Sequence, residues 1–76
     1  MGHSMKISAR NQIAGTVKAI HKGATTAHVE IDVGGGTVIT ASITNQAVDD
    51  LKLATGDKAY AVIKASDVMV GVEHAG

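Results

Sequence analysis

Ala27-His28-Val29-Glu30-Ile31-Asp32-Val33 alternates apolar and polar side chains without a break. A period of two places Ala27, Val29, Ile31 and Val33 on one face of an extended chain, and His28, Glu30 and Asp32 on the other. The segment reads as a half-buried strand, with one face on a core and one in water. Gly34-Gly35-Gly36 follows at once. Glycine adopts positive φ at little steric cost, so this triplet reads as a hairpin turn. Thr37 to Ile43 is rich in β-branched residues and is predicted as the returning strand.

The same reading extends outward in both directions. Upstream, Gln12 to His21 alternates less cleanly, with Ile13, Val17 and Ala19 assigned to one face and Thr16 and Lys18 to the other. Lys22-Gly23 ends it. Downstream, Asn45 to Leu53 breaks the strand pattern, because Ala47, Val48 and Leu51 fit one helical face. Thr44 or Asn45 suits its N-cap, and Asp49 and Asp50 are expected near the positive end of its dipole. Thr55-Gly56-Asp57 is a turn. Lys58 to Ala65 is almost wholly apolar and is expected to be covered on both faces. Val68, Val70 and Val72 alternate with Met69, Gly71 and Glu73 in a last strand. The order β-β-β-α-β-β predicts an all-β fold, a small five-stranded OB-like barrel with one short helix between strands 3 and 4.

The chain has 76 residues and room for one domain. Residues 1–4, Met1-Gly2-His3-Ser4, precede a second methionine and read as an expression scar. Residues 5–73 form the expected domain, and 74–76 a tail. There is no Phe, Trp or Cys, and Tyr60 is the one aromatic residue. A domain of this size buries only about 60% of its unfolded surface. Without large aromatic side chains, disulfides or a cysteine metal site, association with other copies is the remaining common source of stability. A homo-oligomer is therefore expected on composition alone.

A net charge of zero opposes a general nucleic-acid or membrane-surface role, which needs a basic excess. No apolar run approaches the 18 or so residues of a membrane span. No signal peptide is visible, and the absence of Cys fits the cytoplasm.

No pattern of a catalytic site stands out. His3 and His74 lie in the expected scar and tail. His21 and His28 bracket a turn on the polar sides of their strands, where solvent-exposed histidines are common. No His-x-x-x-His spacing is present. The acids are scattered, and Asp49-Asp50 reads most simply as a helix N-terminal pair. The glycine triplet lacks the spacing of a phosphate loop and no helix follows it, although its N–H groups could form an anion-binding nest. Two segments are more informative. Ser8 and Arg10 alternate to one side and offer a hydroxyl and a guanidinium fork. Lys64 and Ser66 also share a side, at the end of an apolar strand where an unpaired charge is costly. Such donors, with backbone N–H groups, match a tetrahedral oxyanion. Thr44-Asn45 adds the N–H groups of a helix start. On physics alone Arg10 and Lys64 read somewhat better as ordinary surface or interface charges, each paired with an acid.

Met5-Lys6-Ile7-Ser8-Ala9-Arg10-Asn11-Gln12 closely resembles the N-terminus of the molbindins, the molybdenum-pterin-binding proteins of the Mop/TOBE-like domain family. Ala59-Tyr60-Ala61-Val62-Ile63-Lys64-Ala65-Ser66-Asp67-Val68-Met69-Val70-Gly71-Val72 resembles the family's other motif. Val33-Gly34-Gly35-Gly36 and Ile43-Thr44 match as well. The resemblance covers about Met5 to Glu73. It implies an OB-like barrel in a hexamer, a trimer of dimers, that binds molybdate or tungstate between subunits. No enzymatic activity, catalytic cofactor or direct protein–metal bond is implied. Carried over, the ligands are Ser8, Arg10, Lys64, Ala65 and Ser66, with Thr44 from the helix start. His21, Lys22, Gly34 and Gly35 are candidates for a second oxyanion site. Asp67 departs from the small or hydroxyl residue expected after the serine, and an acid there weakens anion binding unless it points away. The implied role is molybdenum storage and homeostasis in the cytoplasm.

Three other readings compete. A nucleic-acid-binding OB module predicts a basic groove with stacking aromatics. A purely structural oligomerisation domain leaves Lys64 unexplained. Binding of molybdopterin requires a pterin-stacking pocket, and none is evident in the sequence.

Overall fold

The computed structural model describes residues 9–74. It is all-β apart from one short helix and one 3-10 turn. β1 spans Asn11–Lys22, β2 Thr26–Gly34, β3 Thr37–Thr44 and β4 Lys58–Ile63, with helix α1 at Asn45–Asp50 between β3 and β4. The strands form one antiparallel sheet in the order β3-β2-β1-β4.

β1 organises the sheet because it is long enough to serve two partners. Its first half pairs with β4, from Asn11↔Ile63 to Thr16↔Lys58. Its second half pairs with β2, from Thr16↔Asp32 to Lys22↔Ala27. A bulge separates Val17 from Ala19. One extra residue on a strand bends it, increases its twist and exchanges the faces beyond it. The sequence reading put Ala19 on the face of Val17, and the bulge overturns this. Val17 is buried opposite Ile31, Ile20 takes the next core position opposite Val29, and Ala19 opposes the outward Glu30. The Val17 amide and carbonyl are met by the turn before β4, through bonds to Asp57 O and Gly56 N of 2.8 Å each.

α1 begins as expected. The Thr44 hydroxyl accepts a hydrogen bond from the Ala47 amide at 3.0 Å. Thr44→Ala is expected to lower stability by about 1 kcal/mol in chemical denaturation. The helix stops earlier than predicted. Lys52 takes φ 53°, and bonds from Lys52 N to Asp49 O and from Leu53 N to Val48 O close the end at 3.1 Å each. This is a Schellman closure, whose left-handed position usually carries glycine. Lys52→Gly is expected to raise stability by about 0.5–1 kcal/mol in the same assay. The early stop moves Asp49 and Asp50 to the C-terminal end of the helix, so they are not the N-terminal pair expected. Asp49 instead meets Lys22. Leu51, assigned to the buried helical face, is exposed, and Val48 alone of that face is fully buried.

The core is Val17, Ala27, Val29, Ile31, Val48 and Ala61. β2 therefore buries the face that its alternation assigned. Among the described residues nine large apolar side chains are exposed, whereas only four of the six core residues, Val17, Val29, Ile31 and Val48, are larger than alanine. β4 is an edge strand and leaves Tyr60 and Val62 half exposed, so it is not covered on both faces. The predicted fifth strand is not formed. Residues 68–72 make no ladder and expose Val68, Met69, Val70 and Val72. Alternation favours an extended conformation there, but a strand exists only with a hydrogen-bonding partner.

Candidate functional site

The β1–β4 register decides what meets at one end of the sheet. Asn11↔Ile63 is its last pair, reinforced by a bond from Asn11 Nδ2 to Ile63 O of 3.2 Å. One step beyond on each strand stand Arg10 and Lys64. Residues far apart in the chain are thus brought to the same end of the sheet, both exposed. Lys64 caps a 3-10 turn, Ala65–Asp67. That turn closes through Asp67 N to Lys64 O at 2.8 Å and Val68 N to Ala65 O at 3.2 Å. The first amides of such a turn have no partner within it, and among the described residues those of Ala65 and Ser66 donate no backbone hydrogen bond. Among the described residues, neither Arg10 nor Lys64 has a carboxylate within ion-pairing distance. Ser8 lies outside the described residues. Asp67 sits in the turn itself.

Thr44 is elsewhere. It opposes Thr26 at the start of β2, beside the Lys22 end of β1. The 12 residues of β1 span about 36–40 Å of extended chain, so one chain does not bring Thr44 to Arg10 and Lys64. The hydroxyl of Thr44 is also engaged as the cap of α1.

The second set of candidates is divided too. His21 opposes His28 near the start of β2, whereas Gly34 ends that strand, about 20 Å further along. Gly34, Gly35 and Gly36 all take positive φ, and Asp32 Oδ1 accepts a bond from Gly34 N at 2.8 Å. His21 Nε2 lies 3.0 Å from Glu30 Oε2, and Lys22 Nζ lies 2.7 Å from Asp49 Oδ1. The sequence reading missed both pairs. Alternation does place Glu30 on the face of His28, but the bulge is what brings His21 into line with them.

One further feature lies outside the predicted site. An open apolar cleft of about 440 Å³ is lined by Val29, Ile31, Ala41, Ile43, Leu53 and Tyr60, among others. Among the described residues, no three His, Asp or Glu side chains are placed to hold a metal ion, and no helix is long and apolar enough to cross a membrane.

Known proteins resemble this chain in sequence and in fold. The TOBE domain model matches residues 7–70. A probable molybdenum-pterin-binding protein of Haemophilus influenzae is 54% identical, over 91% of this chain and 100% of its own length. Molybdenum-pterin-binding protein 3 of Clostridium pasteurianum is 44% identical, over 87% and 97%. Among solved structures, a molybdate-binding protein from Sporomusa ovata superposes with a TM-score of 0.83 at 44% identity, over 90% of this chain and 100% of its own. The cytoplasmic molybdate-binding protein ModG, with molybdate bound, gives 0.84 at 49% identity, over 91% of this chain and 49% of its own.

Proposed function

Because the chain belongs to the TOBE domain family, among its small molybdenum-pterin-binding members, we propose that it binds molybdate or tungstate non-covalently at interfaces between its own copies. The observation that carries this is the juxtaposition of Arg10 and Lys64, two cations without carboxylate partners among the described residues, beside the amides of Ala65 and Ser66. An arginine and a lysine together balance a dianion. The arginine supplies a planar fork and the lysine a point charge, and neither forms a bond to the metal. Ser8 belongs to the same set through its alternation with Arg10.

Assembly completes what one chain leaves open. Thr44 reaches the Arg10 set only from a second copy, and His21 and Lys22 meet Gly34 and Gly35 only in the same way. The exposed run 68–72 supplies the fifth strand of the barrel once a ladder partner is present. A hexamer built as a trimer of dimers accommodates all three requirements. Enclosure between subunits excludes water and strengthens each polar contact with the anion. Selectivity over sulfate then rests on cavity size, since charge and shape are alike. The role that follows is intracellular molybdenum storage and homeostasis, with no reaction catalysed. Calorimetric titration of molybdate tests the reading: saturable binding is expected, and a flat titration would contradict it.

The open cleft beside Tyr60 favours one other reading, binding of a pterin against that ring. A pterin titration followed by tyrosine fluorescence separates the two, since an oxyanion site of Arg10 and Lys64 gives no pterin-dependent quenching.

A further inference from the structure

The two candidate donor sets differ in one physical respect. Arg10 and Lys64 have no internal anion among the described residues. In the other set, three donors already hold a carboxylate: His21 with Glu30, Lys22 with Asp49, and Gly34 N with Asp32. We infer that Glu30 and Asp49 are internal competitors, which keep His21 and Lys22 from an incoming oxyanion and so direct the first anions to the Arg10–Lys64 end. This inference rests on the oxyanion reading above.

The chain builds this competition into its fold. The bulge in β1 turns His21 onto the face that carries Glu30. The early closure of α1 puts Asp49 at the helix end, where it reaches back to Lys22 across the β1–β2 turn. A dianion at these donors must displace two carboxylates or sit beside their charge. Exposed pairs of this kind oppose an incoming ion by up to about fivefold each. The two together therefore separate the sets by up to roughly 25-fold, on the order of tenfold, and the uncompensated pair fills first.

The test is the double variant Glu30→Gln, Asp49→Asn. It keeps side-chain size and hydrogen bonding and removes both charges. Native mass spectrometry at fixed molybdate and calorimetry are run on the variant and the parent chain. The variant assembly is expected to carry more anions, through a class about tenfold tighter than in the parent. Adding His21→Ala and Lys22→Ala together is expected to remove that gain, and each single variant should show part of it. Identical titrations overturn the inference, as does a gain that survives the loss of both donors. If neither chain binds molybdate at all, the oxyanion reading fails and this inference falls with it.

Discussion

Gly15→Ala is expected to lower stability by about 2–3 kcal/mol, seen as a shifted midpoint in chemical denaturation with the slope unchanged. A Cβ at Gly15 lies 2.6 Å from the carbonyl oxygen of Asp32, 2.7 Å from Ile31 Cγ2 and 3.1 Å from Val33 Cγ1. The nearest of these is backbone, which cannot rotate aside. Gly15 sits where β1 passes from its β4 partner to its β2 partner, and there the two strands approach closely. Relief of the clash requires β1 and β2 to separate at the centre of the sheet, beside buried Val17 and Ile31. Glycine inside a strand ordinarily weakens it, and close approach of another backbone is a recognised reason for its presence. A change below about 0.5 kcal/mol would show that β1 and β2 are not packed as described.

Arg10→Ala is expected to weaken molybdate binding by about 100-fold in calorimetry while leaving the mass of the assembly unchanged. Hydrogen bonds to charged groups contribute about 1.5–3 kcal/mol each, and every 1.4 kcal/mol is tenfold in affinity. Losing a two-pronged guanidinium contact in an enclosed site falls within that range. The assembly is spared because Arg10 is exposed and contributes nothing to the apolar core. Unchanged affinity removes Arg10 from the site. Loss of assembly together with binding gives Arg10 a structural part in assembly rather than a role in holding the anion alone.

Much of the fold was legible where local pattern and tertiary demand agree. The β2 alternation, the glycine hairpin and the Thr44 cap each follow from neighbouring residues, and each appears with its expected geometry. The failures share another origin. The face exchange after Val17 depends on a bulge, which carries no alternation of its own. The early end of α1 depends on Lys52 in a conformation that lysine seldom adopts. The missing ladder at 68–72 depends on a partner that local sequence does not encode. The site divides along the same line. Arg10 and Lys64 were each notable in sequence, but only the β1–β4 register makes them neighbours. The pairing of His21 with Glu30 and of Lys22 with Asp49 emerges from contacts between separate elements.

On the proposed reading the exposed apolar surface and the divided donor sets share one explanation, that further copies of the chain finish the site. Native mass spectrometry with and without molybdate tests this most directly. A single multimeric species is expected, with a mass shift of several whole molybdate ions that leaves the number of subunits unchanged or raised. A monomer that binds molybdate on its own, or an assembly whose mass does not respond to the anion, contradicts it.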